Sequence, residues 1–79
     1  MTLNEWINLI EEGSDILFDV AGHELVIFTW LDDGIGIGER GGREPLERFA
    51  DAKSLVDGYL VAGTPLKELV NQIIIREYS

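Results

Sequence analysis

Residues 36–41 spell the string G-x-G-x-x-G, which is typical of dinucleotide-binding folds. In those folds a strand runs directly into the first glycine, and the next helix binds the pyrophosphate at its N-terminus. Here Ile35 and Ile37 alternate with the glycines as strand residues do. Gly42 and Pro45, which disfavour helix, stand where the phosphate-binding helix would begin. The string therefore predicts a glycine-rich strand, and we expect no nucleotide cofactor.

Other residue types that do chemistry occur without the neighbours they need. Asp32 and Asp33 precede Gly34, but calcium needs about six to eight oxygen ligands and the spaced aspartates of a calcium loop are missing. The single histidine, His23, falls in a predicted turn with no nucleophile placed beside it. The chain has no cysteine, which excludes disulfides, thiolate nucleophiles and iron–sulfur clusters. We expect no catalytic residue and no metal site, and hence a protein that is not an enzyme.

The charge of the chain is strongly acidic. Its 79 residues include 15 Asp and Glu against 6 Lys and Arg, a formal net charge of −9, so direct binding to a phosphate backbone is disfavoured. A charge of this sign keeps a small protein soluble. Alternatively, the acids mimic nucleic acid and occupy the basic groove of a nucleic-acid-binding protein. Because the acids are spread over every predicted element, we favour the first interpretation and keep the second as the alternative.

Three of the four arginines lie close together against this acidic background. Arg40, Arg43 and Arg48 fall within nine residues, in and just after a segment whose composition predicts a loop. Contact with an anion or an acidic partner is one interpretation of this cluster. The other is that these side chains are solvated or pair with neighbouring glutamates.

The pattern of apolar residues predicts one α+β domain over residues 1–79. Thr2 and Glu5 have capping-box spacing, and apolar residues follow at helical spacing up to Gly13. From residue 15 to 39 the period changes to two, with turns at 22–23 and 32–34. These features predict an N-terminal helix followed by an antiparallel meander of three strands, with a fourth strand left open.

The second half of the chain contains two predicted helices. Residues 46–49 fit either a short edge strand or a turn of helix, and both stay open. Asp51 is a good N-cap for a short helix that reaches Asp57, and Gly58 would end it. Thr64 and Pro65 then predict the start of a C-terminal helix that reaches about Glu77. We expect both terminal helices to pack on one face of the sheet.

The register of the meander sorts its residues onto two faces. A two-residue turn at 22–23 pairs Phe18 with Ile27, and the second turn pairs Phe28 with Gly38. Residues that lie directly opposite each other share a face. The predicted core face consists of Ile16, Phe18, Val20, Leu25, Ile27, Leu31, Ile35 and Ile37.

The other face of the predicted sheet is more apolar than a solvated face should be. Glycine weakens a strand interior, so two glycines there indicate that something approaches the sheet closely. Trp30 and Phe28 would cover them, or a partner chain would dock there, and the two interpretations are compatible. The candidate interface consists of Leu17, Val26, Phe28, Trp30, Gly36 and Gly38.

Several short segments resemble a group of small, uncharacterised acidic proteins of Gram-positive bacteria and their phages and mobile elements. The resembling segments are 9–16 (LIEEGSDI), 33–34 (DG), 49–52 (FADA) and 63–69 (GTPLKEL). That group has no established activity. The resemblance implies a similar fold and a phage or mobile-element origin, and it implies no site residue.

These observations favour a small, non-enzymatic interaction module. We expect it to form a homodimer, or to bind a protein partner, through the candidate interface. The chain has no basic N-terminal region with a long apolar stretch, and its longest apolar run is four residues. We therefore expect a cytoplasmic protein that does not bind a membrane.

Overall fold

The computed structural model describes residues 1–13, 15–31, 34–42 and 46–78, without the side chains of Trp30 and Leu31. The predicted turn residues Asp32 and Asp33 and the loop residue Arg43 lie outside this part of the chain. The elements in chain order are α1 (Leu3–Glu11), β1 (Ile16–Val20), β2 (His23–Leu31), β3 (Gly34–Glu39), β4 (Glu47–Phe49), α2 (Ala52–Gly58), β5 (Leu60–Val61), β6 (Thr64–Pro65), a 3₁₀ helix (Leu66–Gln72) and β7 (Ile74–Tyr78).

Helix α1 begins at the predicted capping box. The amide of Glu5 donates to Thr2 Oγ1 at 3.1 Å, and the amide of Thr2 donates to Glu5 Oε1 at 2.9 Å. Two amides that have no partner within the helix are thereby satisfied. The apolar stripe of α1 buries Trp6 and Ile10 against the sheet and the other helices.

The main sheet has five antiparallel strands in the order β4-β3-β2-β1-β7, and β5 and β6 form a separate two-stranded sheet. The predicted α+β class and the meander β1–β2–β3 are confirmed. Residues 47–49, which fit either a strand or a helix by sequence, pair with β3 as an edge strand, with Ile35 opposite Phe49.

The register differs from the predicted one by two residues and therefore keeps the predicted faces. The first turn is formed by Ala21 and Gly22, both with positive φ (49° and 82°), rather than by residues 22–23. Phe18 consequently pairs with Leu25, not with Ile27. On the other side of β2, Phe28 pairs with Gly36 rather than with Gly38. Because side chains alternate with period two, a shift of two keeps the residues of β1, and those of β2 up to Phe28, on their predicted faces; between Phe28 and Leu31 the register is irregular.

The core lies between one face of the main sheet and the helices. Trp6 and Phe18 meet edge to face, with ring centroids 4.9 Å apart and an interplanar angle of 68°. Six of the eight residues of the predicted core face are fully buried, which confirms the prediction for them. Ile35 is partly buried and packs against these six. The side chain of Leu31 lies outside the described part. The buried sheet residues are Ile16, Phe18, Val20, Leu25, Ile27 and Ile37, which pack against Trp6, Ile10, Ala52, Leu55, Val56, Val61, Leu66 and Leu69.

The predicted C-terminal helix is wrong in its second half and at its start. The helical segment is a 3₁₀ helix that ends at Gln72, and residues 74–78 form β7 beside β1. Three consecutive β-branched isoleucines at 73–75 favour a strand, and β7 satisfies backbone groups that β1 would otherwise leave at an open edge. Thr64 is not an N-cap, because Thr64–Pro65 pairs with Leu60–Val61 as a second short hairpin.

Asp51 caps α2 as predicted, and its carboxylate gives the fold a testable pH dependence. Asp51 Oδ1 accepts from the Ser54 amide at 2.8 Å, which lowers the pKa of this carboxyl below its ordinary 3.8. A lowered folded-state pKa stabilises the fold above pH 3.8, and this contribution is lost as the pH falls through the folded-state pKa. We expect Asp51→Ala to lower the melting temperature at neutral pH, and the difference from wild type to shrink in acid.

The control for this prediction is Asp51→Asn, which keeps a capping oxygen but does not titrate. At neutral pH the melting temperature of Asp51→Asn should lie closer to that of wild type than the melting temperature of Asp51→Ala does. A gap between wild type and Asp51→Ala that is the same at neutral pH and well below pH 3.8 would contradict the assigned role of the carboxylate.

Candidate interaction surface

The second face of the main sheet, opposite the helices, carries Leu17, Val26 and Phe28 beside Gly36 and Gly38. The observed register places these residues together, with Leu17 opposite Val26, Val26 opposite Gly38 and Phe28 opposite Gly36. The three apolar side chains are half-buried, whereas the neighbours that alternate with them belong to the core. The structure thus brings five of the six candidate interface residues together; the side chain of Trp30 lies outside the described part.

A groove of about 240 Å³ lies on the second face, beside β7. It is lined by Asp15, Leu17, Val26, Phe28 and Glu77. The apolar lining is predicted by the sequence, but Glu77 is not, because its local pattern places it in a helix. The bulge of β7 against β1 places Glu77 opposite Leu17, so that this carboxylate lies at the rim of the groove.

Gly38 is approached from within the chain itself. A Cβ on Gly38 would lie 2.8 Å from Cδ2 of Leu46, so the Leu46 side chain reaches over this glycine just before β4 begins. The expectation that Trp30 and Phe28 shield the glycines therefore needs a correction at position 38, where Leu46 provides cover. Leu46 belongs to a segment that fits both strand and helix by sequence, and so no sequence signal places it there.

Charged residues are distributed unevenly across the second face. On its β1–β7 side lie Asp15 and Glu77, and Arg76 forms an ion pair with Asp19 at 2.5 Å. Oδ1 of Asp15 is buried and has no hydrogen-bond partner in the described part of the chain. On the β4 side lies Arg48, exposed and opposite Gly36, hence on the same face as Phe28. One side of the second face is thus acidic and the other carries a cation.

Many of the acidic residues make contacts within the chain. At least six of the fifteen are engaged in this way, as helix caps, ion pairs or hydrogen bonds. The single histidine takes part, because His23 Nδ1 lies 3.0 Å from Glu39 Oε1 at the surface. The six acids and their partners are Glu5 with Thr2, Asp51 with Ser54, Asp19 with Arg76, Glu39 with His23, Asp57 with Lys67 and Glu12 with Tyr78.

The segments that suggested other chemistry have ordinary structural roles. Residues 36–39 of the glycine string lie inside β3, and the next helix among the described residues is α2 at Ala52. In residues 1–13, 15–31, 34–42 and 46–78, no three His, Asp or Glu side chains are grouped so that they could hold a metal ion. None of the helices in these ranges has the length and apolar character that crossing a bilayer requires.

Comparison of the chain with protein-family models, with curated proteins and with solved structures gives no significant match. The assignment of a role therefore depends on the surface itself.

Proposed function

We propose that the chain is a non-enzymatic interaction module that binds another protein through the second face, in its simplest form a second copy of itself. The supporting observation is the apolar groove formed by Leu17, Val26 and Phe28 on the side of the sheet away from the helices. Contiguous apolar surface on a small protein marks an interaction site, and phenylalanine is enriched in the centres of protein interfaces.

Self-association also fits the size of the chain. A domain of 79 residues buries roughly 60–65% of the surface that its unfolded chain exposes, so its margin of stability is small. Burial of the second face against a copy adds apolar area to this thin core. A chain without cysteine needs no oxidising compartment to form disulfides, and the cytoplasm that we propose for the module meets this condition.

The alternative, an acidic mimic of nucleic acid, has less support. Such a mimic needs carboxylates that face a basic groove together, whereas six of the acids here already cap helices or pair within the chain. The two candidates differ in their response to salt. Binding of a mimic to a basic groove weakens steeply as NaCl rises from about 0.05 M to about 0.5 M, whereas the dissociation constant of a dimer with an apolar centre changes far less.

The dimer is tested by the substitution Phe28→Asp. Burying an unpaired carboxylate at the centre of an interface is costly, so we expect the dissociation constant of the dimer to rise at least about a hundredfold. The measurement is the mass in solution, by light scattering and sedimentation over a range of protein concentrations.

The matched control is Leu60→Asp, which adds the same charge at an apolar residue of β5 that is 56% exposed and away from the second face. It should dimerise like wild type. Circular dichroism of both variants checks that they remain folded. A wild-type protein that stays monomeric at millimolar concentration, or a Phe28→Asp variant that dimerises normally, would overturn the proposal.

A further inference from the structure

We infer that the two copies pack second face against second face about a two-fold axis parallel to β2, with Arg48 of each copy against Asp15 and Glu77 of the other. This inference rests on the proposed function and names the occupant and its orientation. It follows from the positions that the strand register gives to the charged residues of the second face.

The register places Arg48 and the two acids on opposite sides of β2. Arg48 lies in β4, two strands from β2 on one side, and Glu77 lies in β7, two strands from β2 on the other. Arg48 pairs with Gly36, and Gly36 pairs with Phe28, so Arg48 lies at the same height along the strands as Phe28. Asp15 directly precedes β1, so continuing the β1–β2 pairing by one residue places it opposite Phe28, at the same height along the strands as Arg48. Glu77 pairs with Leu17 and therefore lies two residues further along, at the height of Val26.

A two-fold axis along β2 exchanges the two sides of the sheet and leaves positions along the strands unchanged. Arg48 of one copy therefore arrives over β7 of the other, between Asp15 and Glu77. Face-to-face sheets pack about 10 Å apart with their strands within roughly 30° of each other, which a long arginine side chain can bridge. The operation creates two equivalent contacts between opposite charges.

The other in-plane axis, perpendicular to the strands, gives the opposite electrostatic result. It places β7 of one copy over β7 of the other and β4 over β4. Glu77 would then approach its own copy, as would Arg48, and like charges opposed across an interface destabilise it. The contacts of Arg48 with Asp15 and Glu77 therefore favour the axis parallel to β2, which also places the exposed Glu24 of β2 on the axis near its own copy.

The apolar residues fit the same arrangement. Val26 and Phe28 lie on the axis and meet their own copies at the centre of the interface. Leu17, one strand to the side, arrives over Gly38 and the Leu46 side chain that covers it. A central apolar cluster with charged residues at its edge is the usual anatomy of a protein interface.

Charge exchange tests this orientation. We expect Arg48→Glu alone to raise the dissociation constant of the homodimer about tenfold, because its contacts with Asp15 and Glu77 both become pairs of like charges. Glu77→Arg alone should raise it less, because Arg48 keeps its contact with Asp15. An equimolar mixture of the two variants should form heterodimers that are tighter than either variant homodimer, since both contacts between residues 48 and 77 become attractive again. Native mass spectrometry distinguishes the heterodimer from the homodimers.

Two controls carry the same change in net charge on the helical side of the molecule. Lys53→Glu matches Arg48→Glu, and Glu68→Arg matches Glu77→Arg; Lys53 and Glu68 are exposed in α2 and in the 3₁₀ helix. If each control weakens the dimer as much as its partner variant, or if the mixture gives no preference for heterodimers, this orientation is wrong. The proposed function is unaffected by that result as long as Phe28→Asp still abolishes the dimer, whereas a monomeric wild type overturns both.

Discussion

Trp6→Ala is expected to lower the free energy of unfolding by about 3–5 kcal/mol, a large fraction of the stability of so short a chain. Trp6 is 0% exposed, and its ring meets Phe18 edge to face in the middle of the core. Truncation of a buried tryptophan costs about 3–5 kcal/mol through lost burial and the cavity that remains. A chain of 79 residues has a total stability of roughly 4–12 kcal/mol. If the total stability lies at the low end of this range, the variant lies near its unfolding midpoint at room temperature.

The measurement is urea unfolding followed by circular dichroism, with Trp6→Phe as the comparison. The indole Nε1 is buried and has no hydrogen-bond partner in the described part of the chain, so phenylalanine loses no hydrogen bond and retains an aromatic ring against Phe18. Trp6→Phe should cost less than half as much as Trp6→Ala. Leu60→Ala, at a mostly exposed residue, should stay within about 0.5 kcal/mol of wild type. An alanine variant within about 1 kcal/mol of wild type would show that the core does not depend on this ring.

The parts of the fold that the sequence predicts well are those determined by neighbouring residues. The Thr2–Glu5 capping box and the Asp51 cap each depend on side chains and amides three residues apart, and both occur as expected. The core face is also predictable, although both hairpin registers differ from the predicted ones by two. An alternating pattern determines which face a residue occupies but not which residue it pairs with, and the turn decides the latter.

The parts that sequence reasoning misses depend on pairing between distant segments. Ile73 and Ile74 continue the helical spacing of the preceding leucines, so local pattern favours a helix for them. Instead the 3₁₀ helix ends before Ile73, and Ile74 begins β7, because β1 offers a free edge on which Ile74 pairs with the distant Asp19. Local spacing carries no information about that edge.

The candidate interaction surface divides in the same way. Leu17, Val26 and Phe28 follow from alternation within β1 and β2, and the structure places them together. The positions of the charged residues around them do not follow from alternation, because Glu77 and Arg48 lie on this face only once β7 and β4 have paired with the sheet. The apolar centre of the surface is thus predictable from sequence, whereas its electrostatic asymmetry, which orients the second copy, requires the order of the five strands.

Gly34→Ala is expected to be the most damaging glycine substitution among the described positions. Gly34 has a φ of +125°, which side chains rarely adopt, and a Cβ there would lie 2.3 Å from the carbonyl oxygen of Phe49. The strain costs roughly 1–3 kcal/mol. The clash adds to it, because the opposing atom belongs to the backbone of β4 and cannot move without disturbing the pairing of Ile35 with Phe49. We expect a total loss of about 3 kcal/mol or more in urea unfolding.

Gly63→Ala separates the two contributions. Gly63 has a φ of +87°, and no atom lies within 4 Å of the position that a Cβ would occupy there. This variant therefore suffers from backbone strain alone and should lose about 1–2 kcal/mol. Equal losses in the two variants would mean that β4 yields freely to the added methyl group.

The clash should also have a local signature, because β4 is held from both sides. Phe49 packs its ring edge against the α-carbon of Gly58, where an added Cβ would lie 2.8 Å from Cε1, so displacement of β4 disturbs the end of α2 as well. Hydrogen exchange in Gly34→Ala should therefore accelerate in β4 and at the end of α2 before it does in β1 and β2. Arg48 lies in β4, so the folded fraction of Gly34→Ala should also dimerise more weakly than Gly63→Ala. Such a result would show that the proposed dimer depends on an ordered β4.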